Sequence, residues 1–282
     1  IRAVMATIGG DDQLTVVPHL DPTVLTADPK PFFGYSDNTN LLNWLWRHGV
    51  AAWHGGSTQV HLGPGPAPDP EHLHSLRAAL FGGGDVVLTP AAATADYGLA
   101  WDDAGSLTQT APRQAVADGW TWHGSAHIAT GRTWGGNLEV LQWILAVGRD
   151  VLDPSAYAGC VLLLETSEEH PHPTAVLRML RTLGERGLLG QAAAVAFARP
   201  AAAERADDPG PEARAAYRAD VTDVVLTACD RYAAGIPVVV GVDFGHTSPQ
   251  WVVPYGGEVT VDGIHRRVVA HYGPPRPMGV FR

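Results

Sequence analysis

The chain has only two cysteines in its 282 residues, Cys160 and Cys229. They lie far apart in apolar segments, which excludes a disulfide framework and reads as a pair of buried thiols in a reduced compartment. Long apolar runs are missing too. No stretch reaches the length of uninterrupted apolar residues that a membrane span needs, and no signal peptide is visible, so a cytoplasmic setting is expected. Positive charge is scarce: 19 basic side chains stand against 29 acidic ones, for a net charge of −10. That balance argues against nucleic acid or an anionic membrane surface as the main partner. With 45% hydrophobic and 17% charged residues, the composition is that of a globular protein. The length suffices to bury a full core in one large domain or two modest ones.

What is present is an alternation of apolar strands, glycine turns and helices. Residues 1–8 read as a strand that breaks at Gly9-Gly10-Asp11-Asp12. Because the chain opens on what looks like an interior strand, a preceding N-terminal piece is expected. A short helix over 13–20 is stopped by Asp21-Pro22. Phe32-Phe33 is a buried strand, 40–49 a helix, and 50–54 a strand ending in His54-Gly55-Gly56. Such an order indicates an α/β layer with a parallel sheet. Sites in these sheets gather at the C-terminal strand ends, where Gly9-Gly10, Ser36 and His54-Gly55 would all lie.

A proline-rich break over 62–70 precedes a helix over 71–81. Residues 89–134 differ from the rest, with Trp101, Trp120, Trp122 and Trp134 among few aliphatic residues. They read as a β-rich small domain whose tryptophans are core, or as one in which some of them line a pocket and stack on a flat ligand. His123 and His127 sit in a strand or loop without an acidic cluster, so metal binding is not expected there. A metal hydrolase would have to draw on His123, His127, His170 or His172. Further on, helices are expected over 139–147, 174–187 and 215–232, the last after a loop with a short helix over 199–219. Strands are expected over 159–164, 192–198 and 237–242, with a hairpin over 251–272.

Three polar residues each follow a short apolar strand at a turn: Ser36, Glu165 and His246. Gly34-Tyr35-Ser36-Asp37 leads into a helix, where free N–H groups and the helix dipole favour negative charge. A serine there is a candidate nucleophile, and equally a plain helix cap. Histidine is the side chain suited to take a serine proton near neutral pH, and a carboxylate on its other nitrogen would fix the tautomer. Spacing alone leaves a capping Glu165 and a turn His246 open.

The motifs Gly34-Tyr35-Ser36-Asp37-Asn38-Thr39, Trp53-His54-Gly55, Gly135-Gly136-Asn137-Leu138, Leu163-Leu164-Glu165 and Asp243-Phe244-Gly245-His246-Thr247 occur in this order. The chain thereby resembles the LD-carboxypeptidase family of serine peptidases. The similarity covers residues 1 to about 262. Thr7-Ile8-Gly9-Gly10 and the tryptophan-bearing insert are more like its microcin C immunity subgroup. Ile8-Gly9-Gly10-Asp11 stands where the cell-wall enzymes have Arg-Gly-Gly-Tyr-Gly. The family has a first strand and helix ahead of the position of Ile1, in keeping with the preceding piece expected here.

The resemblance implies an N-terminal parallel-sheet α/β domain carrying the serine and a C-terminal β-rich swivelling domain with helices carrying Glu and His, usually as a homodimer. On this chain the division falls at 1–88, a tryptophan-rich insert at 89–134, and 135–282. It implies a catalytic triad of Ser36, Glu165 and His246, and an oxyanion hole from backbone N–H groups of Asp37, Gly9 and Gly10. His54, Trp101, Trp120, Trp122 and Asn137 are the candidate substrate-binding residues. No metal or cofactor is called for. The expected reaction is hydrolysis of an amide near a free carboxylate, or of a peptidyl or aminoacyl nucleotide of the microcin C kind. The alternatives are the L,D-amide of a muropeptide and a catalytically silent binding protein on the same scaffold.

Overall fold

Strand and helix alternate from the first residues onward. The computed structural model describes residues 1–116 and 119–273. In chain order the first elements are β1 (Val4–Met5), α1 (Gln13–Val16), α2 (Pro22–Ala27), β2 (Phe32–Gly34), α3 (Thr39–Arg47), β3 (Ala52–His54), α4 (Pro70–Phe81) and β4 (Asp85–Leu88). Then come β5 (Ala93–Thr94), β6 (Gln114–Ala115), β7 (Thr121–Gly124), β8 (Ile128–Asn137), α5 (Leu138–Val147), β9 (Val161–Glu165), α6 (Pro173–Glu185) and β10 (Ala194–Ala198). The last are α7 (Pro211–Tyr232), β11 (Pro237–Val242), β12 (Val253–Tyr255), β13 (Glu258–Asp262) and β14 (Arg267–His271).

Two sheets carry the fold. The first has the order β1-β2-β3-β12, its first three strands parallel and β12 antiparallel to β3. The second has eight strands in the order β4-β14-β13-β8-β9-β10-β11-β7. Its centre, β8 to β11, is parallel, and antiparallel strands flank it. The mixed α/β architecture is the one the sequence indicates.

The central strands are apolar throughout because both faces of the sheet are covered. Leu162 and Leu164 of β9 join one core with Val195 and Phe197 of β10 and Val238 and Val240 of β11. Val161 and Leu163 join the opposite core with Ala194, Ala196 and Val239. This period of two is the pleat of a strand. Helices cover the first face, α6 through Val176, Leu180 and Leu183, and α7 through Val221, Val225 and Ala228. Each fully buried aliphatic side chain contributes about 1.5–3 kcal/mol, so these strands anchor whatever stands at their ends.

Several elements depart from the sequence expectation, each for a physical reason. Asp21-Pro22 starts a helix: Asp21 Oδ1 accepts from the Thr23 N–H at 2.8 Å, and proline is pre-set for the first turn. The segment ahead of residue 215 is helical from Pro211, where alanines favour the helix and Arg214 is tied to Asp96 and Asp208. Among the described residues of the tryptophan-rich stretch, only β5 and β6 pair by themselves, while β7 and β8 belong to the large sheet. Trp120 and Trp134 are buried core residues.

Backbone pairing also crosses the division at residue 88 and that at 135. Val87 of β4 pairs with Val269 of β14 in the large sheet, and Val253 of β12 pairs with His54 in the small one. Residues 117–118 and 274–282, within the second and third expected segments, lie outside the described residues.

Candidate active site

Ser36 owes its position to the tight exit from β2. Tyr35 is extended, and Ser36 then takes φ 62, the left-handed region that costs a residue with a side chain some strain. A short 3-10 turn, Ser36–Asn38, leads straight into α3. The bend requires glycine at 34, where a Cβ would meet the Phe32 ring at 2.8 Å and Asn38 Cβ at 2.9 Å.

The glycine turn at Gly9-Gly10 lies over this bend. Asn38 Nδ2 donates to the Ile8 carbonyl at 3.2 Å. Gln13 completes the clamp: its backbone N–H donates to Asp37 Oδ2 and its Nε2 to Asn38 Oδ1, both at 3.0 Å, while its Oε1 accepts from the Leu41 N–H. Asp37 is buried, which raises its pKa against the bonds from Gln13 and Asn40.

Glu165 closes β9 and is fully buried. Its Oε2 accepts from His246 Nδ1 at 2.5 Å, and its Oε1 lies 3.9 Å from His54 Nε2. His246 arrives on the turn after β11. A Cβ on the preceding Gly245 would stand 2.8 Å from Ala198 Cβ and 3.3 Å from Glu165 Cβ, so only glycine lets this turn pack against the ends of β9 and β10. Asp243 holds the base of the turn, accepting from Arg199 Nε at 2.9 Å, Trp120 Nε1 at 3.0 Å and the Ala91 N–H at 3.1 Å. Gln250 ties the turn to β3, donating to the Gly245 carbonyl at 2.7 Å and accepting from the Gly56 N–H at 3.2 Å.

The ring of Tyr35, next to Ser36, links the two halves: its centroid is 4.9 Å from that of His246 and 6.2 Å from that of His54. Ser36 and His246 are thus on neighbouring turns, and among the described residues no hydrogen bond joins them. The second ring nitrogen of His246, Nε2, instead stands 3.2 Å from Oε2 of Glu168 without a hydrogen-bonding alignment. Burial works against a charge on His246, but the Glu165, Glu168 and Glu139 carboxylates outweigh it and raise its pKa to about 9. His54 goes the other way: burial, opposed by Glu165 and reinforced by His246, lowers it to about 4. Burial, then Glu168 and Glu165, push the Tyr35 phenol far above its ordinary range, which keeps it protonated.

Asn137 is the register partner of Glu165 across β8 and β9. Its Oδ1 caps α5 by accepting from the Val140 N–H at 2.9 Å, and its backbone N–H donates to Thr39 Oγ1 at 3.0 Å. Its Nδ2 is buried and has no partner, as is Oε1 of Glu165. Both are polar atoms that a bound ligand would satisfy.

The tryptophans differ in exposure. Trp120 is core, its N–H fixed to Asp243, so its place in the fold is structural. Trp122 on β7 is half-buried against the same core, and Trp101 is 57% exposed. The histidines weighed for a metal have other partners: His123 with Asp230 at 2.7 Å, His127 with Ser125 at 3.0 Å, and His172 capping α6. His170 packs edge-on to Tyr217. Among the described residues, no group of three or more potential ligands stands together for a metal ion.

Sequence reasoning missed Gln13, Glu139, Glu168 and Gln250, and also His61 and His72, whose rings stack 4.3 Å apart beside Tyr35. Glu139 holds the loop after β9, its Oε1 accepting from the Ser167 N–H at 2.9 Å and the Ser167 hydroxyl at 2.8 Å. Spacing gives no sign of most of these. Glu168 alone carried one, standing only three positions past Glu165.

Comparison with known proteins gives the family. Residues 1–55 match the LD-carboxypeptidase N-terminal domain and residues 130–261 the LD-carboxypeptidase C-terminal domain. The chain is 26% identical over 264 residues to a carboxypeptidase-named protein of Vibrio cholerae, covering 93% of this chain and 72% of that one. It is also 26% identical over 265 residues to the microcin C7 self-immunity protein MccF of Escherichia coli, covering 93% and 71%. The structure of MccF in complex with glutamyl sulfamoyl guanosine superposes with a TM-score of 0.76 at 23% identity, over 99% of this chain and 77% of the other. With both domains matched in order, and with the strand-end turns of Ser36, Glu165 and His246 falling inside the matched segments, the chain belongs to the LD-carboxypeptidase family.

Proposed function

We propose that this chain is a serine hydrolase that cuts an amide by way of an acyl-enzyme, with Ser36 as nucleophile, His246 as base and Glu165 as the carboxylate that orients it. The observation that carries the reading is the 2.5 Å contact between Glu165 Oε2 and His246 Nδ1, beside a serine held at φ 62. That contact leaves Nε2 as the nitrogen that takes the serine proton, and the same nitrogen later returns it to the leaving amine. Hydrogen bonds between nucleophile and base often close only once substrate is bound. Ser36 sits where the first turn of α3 offers N–H groups, so the Asp37 N–H, together with the Gly9-Gly10 turn, supplies the oxyanion site.

The substrate class is an aminoacyl or peptidyl nucleotide, or a peptide amide near a free carboxylate. The support is the family membership and the likeness to MccF, whose solved complex holds glutamyl sulfamoyl guanosine. The test incubates the protein and its Ser36→Ala variant with an aminoacyl sulfamoyl adenosine and, separately, a tetrapeptide muropeptide, reading products by mass spectrometry. Turnover is expected to fall by at least about a thousandfold in the variant. Undiminished hydrolysis in Ser36→Ala would overturn the nucleophile, and turnover by neither form would mark a binding protein.

A further inference from the structure

Glu168 lies outside the three residues assigned above, yet it occupies the critical nitrogen of one of them. Its side chain is 63% exposed, and its Oε2 stands 3.2 Å from His246 Nε2. The His246 side chain is itself only 7% exposed, and its Nε2 has no aligned hydrogen bond. The loop bearing Glu168 is pinned, since Ser167 donates to Glu139 through both its N–H and its hydroxyl and accepts from the Glu169 N–H at 3.2 Å. Glu168 is therefore held beside the base by its backbone, with only its own side chain free to turn. The ionised groups acting on His246 are all carboxylates, Glu165, Glu168 and Glu139. Ligand-seeking atoms are present as well: Asn137 Nδ2 and Glu165 Oε1 are buried without hydrogen bonds on adjacent strands.

We infer that Glu168 sets the specificity of this site, selecting substrates with a basic side chain on the residue whose amide is cut. Serine can approach Nε2 only after the carboxylate has moved off. A substrate ammonium or guanidinium a few bonds from the scissile carbonyl supplies a counter-ion that draws Glu168 away and frees Nε2. A neutral substrate leaves the carboxylate competing with the serine, and an acidic one adds repulsion. The inference rests on the hydrolase reading for its kinetic form and on charge complementarity for its binding form.

The test compares lysyl, norleucyl and glutamyl sulfamoyl adenosines, matched except for charge, on wild type, Glu168→Gln and Glu168→Lys. Wild type is expected to favour lysyl over norleucyl by about two- to fivefold in kcat/KM, the range of a part-exposed ion pair. In Glu168→Gln the lysyl-to-norleucyl ratio falls towards one, whatever both rates gain from a base freed at lower pH, and loss of stability would not change that ratio. Glu168→Lys is expected to turn the preference towards glutamyl. Calorimetric binding to the Ser36→Ala form, with and without Glu168→Gln, reads the same preference without turnover. Equal lysyl-to-norleucyl ratios in wild type and Glu168→Gln, in both rates and affinities, would overturn the inference and leave the Ser36 assignment standing. Loss of turnover with a retained lysyl preference in binding would overturn the hydrolase reading alone.

Discussion

Gly9 faces Ser36 so closely that a methyl group on it would lie 3.0 Å from both Cβ and Oγ of the serine. The glycine turn and the candidate nucleophile are thus one unit, though separate elements of the chain supply them. Gly9→Ala is expected to push either the serine or the turn aside and lower kcat by about a hundredfold, as misplacement of an oxyanion donor does. Because Gly9 is only half-buried, thermal unfolding should move little. Steady-state kinetics beside a melting curve checks this, and an unchanged kcat would remove the turn from the site.

Asn137 does two things that one pair of variants separates. Its Oδ1 caps α5, and its Nδ2 is the unpartnered donor. Asn137→Ser keeps a capping oxygen and loses the amide donor, so stability should hold within about 1 kcal/mol while kcat/KM falls. Asn137→Ala should lose both, with about 1 kcal/mol or more of stability. Urea unfolding and kinetics on the two variants distinguish the roles.

His246 and His54 give the protein opposite responses to pH. With its pKa raised to about 9, His246 is protonated at neutral pH in the free protein, so kcat/KM should rise with pH through about 9. Glu165 from β9, Glu168 from the following loop and Glu139 from α5 face it, with the rings of Tyr35 and His54 alongside. Removing one carboxylate, as in Glu168→Gln, should shift the rise to lower pH.

Stability follows from the same shifts. The folded state holds the His246 proton more tightly than the unfolded chain, so this contribution is whole below 6.5 and is lost as pH rises through about 9. His54 is held neutral down to about 4, so its contribution is present above 6.5 and lost as pH falls through about 4. Urea unfolding from about pH 4 to about pH 10 should show both slopes, and His246→Gln should flatten only the alkaline one.

Gly135 tests how the large sheet carries the site. It has φ +135, and a Cβ there would lie 2.1 Å from the Leu163 carbonyl oxygen, a backbone atom of the neighbouring strand that ends in Glu165. Gly135→Ala is expected to cost about 3 kcal/mol or more, among the larger effects of a single substitution. Chemical denaturation reads it directly, and a loss below about 1 kcal/mol would mean that β8 and β9 can separate freely.

Much of the scaffold is legible in the sequence because its causes are local. The apolar runs of β9, β10 and β11 declare strands covered on both faces, and Gly34-Tyr35-Ser36 declares a bend into a helix. The departures arise where local and distant forces compete. Asp21-Pro22 reads as the stop of one helix, and the bond from the Thr23 N–H makes it the start of the next. Trp120 reads as a ligand wall or as core, and its bond to Asp243, more than a hundred positions away, makes it core. The short strands β4 and β12 each cross into the sheet of the other half, a pairing that periodicity within either segment does not contain.

The α/β class is written in local residue patterns, as is the place of Ser36, Glu165 and His246 at the ends of apolar runs, since strand ends and glycine turns depend on neighbouring residues. That His246 turns Nδ1 to Glu165 and Nε2 to Glu168, and that Gln13 locks the glycine turn onto Asp37, follows from contacts between distant parts of the chain. Those choices depend on the ångström-scale approach of loops that are remote in the chain. Close packing of the two cores fixes that approach, and no local pattern of residues specifies it.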